Sequence, residues 1–172
     1  MRNEGSFLRD RKGTGSAIIG LAAIFMGIML FALVFDVGYL FVKREVIKQA
    51  LDFSNMAVYR EIDEAKLADG ELYINEAPAQ DTFLVFLQDN LKLDSSLNPL
   101  PGSVVTGQVQ VVDFRIYNPG DLPTVDPLGT PINEVAVHSH IIAPVRPVFS
   151  GMFTTVDLPV AITTDIPNGW PW

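Results

Sequence analysis

Two histidines, His138 and His140, are the first candidates in this sequence for binding a metal ion. They are two apart in a segment that predicts a β-strand, so both lie on one face of it. Two imidazoles can start a zinc site, but such sites use three or four protein ligands. Glu134 shares that face, yet it is too far along an extended strand to converge easily. The spacing therefore favours a half-exposed strand face, and we predict no metal and no other cofactor.

Motifs for catalysis are missing as well. The sequence has no cysteine, which excludes disulfides, thiolate nucleophiles and cysteine-based zinc sites. The Gly-Thr-Gly-Ser run at 13–16 is similar in type to a phosphate-binding loop, but it lacks the following lysine and the preceding strand. No serine sits in a nucleophile elbow. We expect a protein that is not an enzyme.

Charge is distributed unevenly along the 172 residues. From residue 43 onward there are 8 basic residues against 17 acidic ones, a net charge of −9. Binding to nucleic acid requires clustered Lys and Arg for the phosphates. We therefore expect no nucleic-acid partner.

A long apolar segment near the N-terminus is the strongest structural signal. Between Gly15 and Phe35, 11 of 21 residues are Ile, Leu, Phe or Val, and none is charged. At about 1.5 Å per residue, such a helix matches the hydrocarbon thickness of a bilayer. Its insertion is favourable by on the order of 5 kcal/mol. We predict a transmembrane helix at 13–42, after a basic cytoplasmic segment at 1–12.

Two other interpretations of this segment are weaker. A helix in a soluble core would show an amphipathic period, and this run has none. A cleaved secretory signal would have a shorter apolar region and a small-residue cleavage site after it. Orientation follows from Lys and Arg, with four before the segment and three after it. Together with the acidic C-terminal part, this favours a cytoplasmic N-terminus and an extracytoplasmic domain.

Two features of the apolar segment could make contacts with other subunits. Small residues at spacings of 4, 3 and 4 form one helix face, on which another helix could pack closely: Ser16, Gly20, Ala23 and Gly27. Asp36 is the acidic residue between Gly13 and Val42. It either lies at the outer headgroups or forms an ion pair with a basic side chain of a neighbouring subunit.

The helical pattern continues beyond the apolar segment. The stretch from Lys43 to Ala68 has no Gly or Pro, and its apolar residues recur at helical spacing. Asp69-Gly70 is a plausible end. We predict an amphipathic continuation at 43–69, which gives one helix from about Thr14 to Ala68.

The remainder, 70–172, predicts an extracytoplasmic α+β domain. A short strand is expected at 71–74, and Pro78 suits the first turn of a helix. From Ser103 an alternating pattern begins, with Val105, Val109, Val111, Asp113 and Arg115 on one face. A long loop at 118–131 and two more strands, at 134–148 and 154–164, follow. The fold class is α+β, with a small antiparallel sheet packed on the outer half of the long helix.

Several short motifs resemble the TadE/TadG-like proteins of tight-adherence (Flp) pilus systems. Along the chain these are Arg11-Lys12-Gly13-Thr14-Gly15-Ser16, Asp36-Val37-Gly38-Tyr39, Lys43-Arg44, Ile47-Lys48-Gln49-Ala50-Leu51-Asp52, Ser54-Asn55-Met56-Ala57 and Ala143-Pro144-Val145-Arg146-Pro147-Val148-Phe149. The resemblance implies a minor pilin or pilus-assembly subunit at the cell surface. Its partners would be other pilin-like or Tad-type membrane subunits, in a homo- or hetero-oligomer, and the lipid bilayer.

The resemblance also implies a candidate processing site at Gly13 or Gly15. Processed pilins usually carry Glu at the fifth position after the cleaved glycine, whereas here that position is Ile18 or Gly20. An uncleaved accessory subunit therefore fits better. The alternative function is a membrane-tethered extracytoplasmic binding module with no role in a filament.

Overall fold

The computed structural model describes the backbone of residues 11–165 and the side chains of residues 15–165. Residues 1–10 of the expected cytoplasmic segment lie outside the described residues. Helix α1 (Arg11–Ala57) is 47 residues long. By length and composition its N-terminal half could cross a membrane, and no residue of its most apolar window is buried by the rest of the described chain. A helix in the core of a soluble domain would be covered, so the structure agrees with a single-pass membrane helix.

The prediction of one helix as far as Ala68 was wrong. Helix α1 ends at Ala57, and Ile62 is extended and pairs with Ile74 in an isolated β-bridge. The side chain of Asp63 then accepts hydrogen bonds from two backbone amides and caps a new short helix. The break therefore consists of a 3-10 turn, Val58–Glu61, and a short second helix, α2 (Glu64–Ala68).

Helix α3 (Glu76–Leu91) packs along the outer half of α1. Pro78 lies in its first turn, as predicted, where the missing amide hydrogen has no partner to lose. One face of the helix is buried through Ala79, Phe83, Leu87 and Leu91. The strand expected at 71–74 is reduced to the single bridge at Ile74.

A three-stranded antiparallel sheet forms the second layer. Its strand order is β1-β4-β5, with β4 in the centre, and a separate two-stranded hairpin is made of β2 and β3. The two long strands correspond to the segments predicted at 134–148 and 154–164. The strands are β1 (Gln110–Tyr117), β2 (Thr124–Val125), β3 (Pro131–Ile132), β4 (Ala136–Val145) and β5 (Val156–Asp165). The fold is α+β, with the sheet packed on the outer half of α1, as expected.

The predicted faces of the first strand are partly wrong. A bulge between Val111 and Asp113 shifts the register of β1 against β4. An extra residue in one strand moves every later side chain to the opposite face. Phe114 therefore turns inward and stacks on Phe83 of α3, with 4.6 Å between ring centroids. The loop expected at 118–131 also holds more structure than predicted, because it includes β2 and the start of β3.

The outer half of α1 is one wall of the hydrophobic core. Its inward face meets the inner side chains of β4, among which Val137, Ile141 and Ala143 are completely buried. The buried residues of that helix face are Ile47, Ala50, Leu51, Ser54 and Asn55, and Val58 of the following 3-10 turn is buried as well. The domain therefore has no complete core without the helix that anchors it.

Truncation tests this dependence. A fragment of residues 70–172 should lack a cooperative thermal transition and should bind a hydrophobic dye, because removal of the α1 wall exposes the inner face of the sheet. A fragment of residues 36–172, which keeps the wall but lacks the membrane segment, should unfold cooperatively. Circular dichroism melts of both fragments make the comparison, and a cooperative melt of the shorter one would contradict it.

Candidate functional site

The candidate site lies where α1 leaves its apolar half and meets the tip of the β4–β5 hairpin. Asp36 projects from α1 toward this tip and is 5% exposed. Its Oδ1 accepts hydrogen bonds from the backbone amides of Val148 and Phe149, both at 2.8 Å. Its Oδ2 accepts from the amide of Ser150 at 2.8 Å and from the Ser150 hydroxyl at 2.7 Å. One carboxylate thus binds three consecutive amides that lie 112 to 114 residues away in the chain.

The hairpin tip has the local geometry that such a contact requires. Its amides point to one side because the chain turns there into a 3-10 helix, Ser150–Met152. Gly151 lies against the side chain of Arg146, and an added Cβ would overlap Arg146 Cγ. A larger residue at position 151 would therefore push the arginine away and disturb the turn.

An aromatic contact adds to the carboxylate contact. The rings of Phe35 and Phe149 meet edge to face, with 5.4 Å between their centroids. This arrangement places the positive edge of one ring on the negative face of the other. Together the two contacts join the end of the apolar helix to the sheet.

The structure gives Asp36 partners that neither sequence-based expectation included. The carboxylate is buried against its own chain and accepts four hydrogen bonds. Its position at the outer headgroups and its ion pair with a neighbouring subunit both stay predictions. Sequence reasoning missed the partners at 148–150, because three of the four hydrogen bonds come from backbone amides, which every residue type except proline supplies.

Farther from the membrane segment, a polar contact fixes α1 to the centre of the sheet. Asn55 Nδ2 donates to the Val137 carbonyl and to Thr164 Oγ1, each at 3.2 Å. The Thr164 hydroxyl donates in turn to Asp52 Oδ1 at 2.6 Å. Because buried polar groups make these bonds only in one alignment, the contact sets the position of the helix along the sheet.

On the opposite face of the sheet, His138 takes part in a chain of hydrogen bonds. Thr163 Oγ1 donates to Asp126 Oδ2 at 2.6 Å, since a carboxylate can only accept. The hydroxyl then accepts from His138 Nδ1, at 2.8 Å. A nucleophilic hydroxyl would need the imidazole to take its proton, whereas here the imidazole donates to it. The arrangement is structural, and it fastens the β2–β3 hairpin to the sheet.

Both ionisable groups of this hydrogen-bonded network, His138 and Asp126, have shifted pKa values. Burial lowers the pKa of His138, which the carboxylates of Asp113 and Asp126 offset only in part. Burial also raises the pKa of Asp126, but hydrogen bonds from Thr163, Thr130 and Leu128 outweigh it and leave that pKa below its usual value. A neutral histidine and a charged carboxylate result at neutral pH.

The two histidines lie on one face of β4 and line a cavity together with Asp113. His138 is 1% exposed and bound to Thr163, while His140 lies opposite Asp113 across the β1–β4 ladder. Within residues 15–165, no group of three His, Asp or Glu side chains is placed to hold a metal ion. Glu134 precedes β4 and lies outside the strand that carries both histidines.

The small-residue face of α1 is exposed along its described length. Ser16, Gly20, Ala23 and Gly27 all lie in α1, and no other part of the described chain lies within 4 Å of a Cβ built on either glycine. At about 100° per residue, this face lies roughly 150° around the helix from the buried face that includes Asp36 and Leu51. The candidate processing glycines, Gly13 and Gly15, are in the first turns of the same helix.

Apolar side chains continue along the uncovered side of α1 beyond the membrane segment. They are Val46, Phe53 and Met56, between 45% and 61% exposed. Exposed apolar stripes of this kind in a water-facing segment usually mark contacts with another molecule.

Comparison of the chain with protein-family models, with curated proteins and with solved structures finds no match.

Substitution of Asp36 tests the contact with the hairpin tip. Asp36→Ala leaves three inward-facing amides without an acceptor, so the thermal midpoint of the detergent-solubilised protein should fall by roughly 5 °C or more. Asp113→Ala is the matched control, because Asp113 forms a surface ion pair with Arg115. It should change the midpoint by no more than about 2 °C. Equal effects of the two substitutions would contradict the structural role of Asp36.

Acidification tests the buried state of His138. Because the pKa of this imidazole is lower in the folded protein than in the unfolded chain, the unfolded chain binds more protons. Its contribution to stability is complete above the unfolded pKa of about 6.5 and is lost as the pH falls below it. The free energy of unfolding, measured in urea, should therefore decrease between pH 7.5 and 5.5. His138→Gln should flatten this slope, and an unchanged slope would refute the assignment.

Proposed function

We propose that this protein is a membrane-anchored structural or assembly subunit of a pilus-like (Tad/Flp-type) filament or secretion apparatus, and that it acts by helix–helix packing. The observation that carries the proposal is the division of α1 into two opposite faces. One face holds the domain through Asp36, Leu51 and Asn55. The other exposes small residues in the membrane segment and apolar residues beyond it.

This division suits a subunit that assembles through its helix. If the small-residue face pointed toward the protein's own domain, that domain would block the approach of other helices. Here no other part of the described chain lies near this face, so that a second helix can approach the backbone closely at Gly20 and Gly27. The globular domains would then lie outside the packed helices.

The outer half of α1 also exposes apolar side chains. Phe53 and Met56 lie on the side of α1 away from the sheet. A simple membrane tether would not need apolar side chains there, since water is its expected neighbour. Their exposure supports packing along both halves of the helix.

The remaining support comes from the sequence. The excess of Lys and Arg before the apolar segment favours a cytoplasmic N-terminus, and the acidic domain would face the outside of the cell. The resemblance to TadE/TadG-like proteins supports a minor, uncleaved subunit. No catalytic role is part of this proposal.

The fold favours this function over a tethered binding module. A module of that kind would carry a complete domain on a separable anchor. In this protein the helix supplies core residues such as Ile47 and Leu51, both fully buried. Anchor and domain are one structural unit, as expected for a subunit whose position within an assembly matters.

Cysteine cross-linking tests the packing face. The chain contains no cysteine, so that a single introduced residue reports on one position. In native membranes, Ala23→Cys should give a disulfide-linked or maleimide-linked higher-mass species, because it lies on the small-residue face. Ala22→Cys, about 100° around the helix, is the matched control and should remain at the mass of the single chain. Equal cross-linking at both positions would rule out a specific face.

Bulky substitutions provide the second half of the same test. Gly20→Leu combined with Gly27→Leu should abolish the Ala23→Cys adduct by holding the helices apart. Ala22→Leu combined with Ala32→Leu adds comparable bulk on the other side of α1 and should leave the adduct intact.

A further inference from the structure

The tip of the β4–β5 hairpin is a second apolar surface next to the membrane segment. The ten residues at 147–156 include no charged side chain. Met152 and Phe153 are 85% and 87% exposed, which exceeds the 72% exposure of Ile19 in the membrane segment itself. Val148 and Phe149 are about half exposed. A soluble loop would not normally present four large apolar side chains to water.

The contacts of this tip define its height relative to the bilayer. If Gly15 to Phe35 fills the hydrocarbon, Phe35 lies at the boundary on the side of the domain. Phe149 contacts that residue ring to ring, and three amides of the tip bind Asp36. On that placement the tip is held at the level where the helix leaves the hydrocarbon.

From this juxtaposition we infer that the hairpin tip inserts into the outer leaflet beside the membrane helix, with Met152 and Phe153 among the lipid chains. The inference rests on the membrane anchoring of the proposed function. Aromatic and apolar side chains suit the interface between headgroups and hydrocarbon, and Arg146 next to the tip is exposed and suited to lipid phosphates.

Insertion of the tip would give the domain a second point of contact with the bilayer. A domain on one helix can rotate about the helix axis and tilt with it. A tip that also enters the leaflet restricts both motions, since any rotation would pull Phe153 out of the lipid or push the sheet into it. The uncovered face of α1 would then be presented in a defined direction relative to the membrane.

The test uses spin labels on single cysteines of the full-length chain in phosphatidylcholine vesicles. The three sites are Phe153→Cys at the tip, Ile24→Cys in the membrane segment and Val125→Cys on the β2–β3 hairpin. Val125 is 58% exposed and adjoins Asp126. Asp126 accepts a hydrogen bond from Thr163, which lies seven residues along β5 from Val156, where that strand begins beside the tip. At about 3.3 Å per residue that is roughly 20 Å from the tip. Accessibility to oxygen and to a water-soluble nickel complex gives the depth of each label.

The expected result is an oxygen-to-nickel accessibility ratio at Phe153→Cys severalfold above that at Val125→Cys and below that at Ile24→Cys, which lies near the middle of the bilayer. Met152→Cys provides an independent second site on the tip. A water-exposed tip label together with a lipid-exposed Ile24→Cys label would overturn the insertion and leave the anchor intact. A tip label shielded from both reagents would also overturn it, since a protein would then cover the tip. A water-exposed Ile24→Cys label would overturn the membrane anchor itself.

Discussion

The binding of the Asp36 carboxylate to three consecutive amides of the hairpin tip is the constraint on which the arrangement of helix and domain depends. A carboxylate that close to hydrocarbon is costly unless its charge is neutralised or its oxygens accept hydrogen bonds. Here the two oxygens accept four, from Val148, Phe149 and Ser150. The amides at a chain reversal have no partners within the hairpin, so the contact satisfies both sides. As a result, the sheet begins at the level where the helix leaves its apolar segment.

The Asn55 contact, 19 residues farther along α1, is the second fixed point between helix and sheet. One fixed point would allow the sheet to pivot on the helix, whereas two points roughly 28 Å apart, at about 1.5 Å per residue, determine its direction. Buried apolar residues such as Ile47 and Leu51 lie between the two points. Their hydrophobic contacts have no preferred direction, so they stabilise the packing of sheet on helix without fixing its alignment. The polar contacts therefore determine which helix face the sheet covers, and consequently which face stays open.

The hydrogen-bonded chain of Asp126, Thr163 and His138 has the residue types of a catalytic triad in another order. The direction of its protons shows its role, because the hydroxyl donates to the carboxylate and accepts from the imidazole. The same residues fasten a two-stranded hairpin that is too short to be stable by itself. The buried histidine therefore belongs to the contacts that hold this hairpin on the sheet.

Local patterns in the sequence determined the elements of this protein, and the tertiary structure decided how they face one another. The apolar run at Gly15 to Phe35, the helix around Pro78 and the last two strands follow from composition and period, which are properties of neighbouring residues. Composition and period do not predict the end of α1 at Ala57 or the bulge after Val111, because each depends on contacts between elements that have already packed. The same holds for the site: a small-residue face is visible in one helix, but the partners of Asp36 are backbone amides more than a hundred residues away. Such pairs have no signature in residue type, since every non-proline residue carries the same amide, and only the packed chain brings them together.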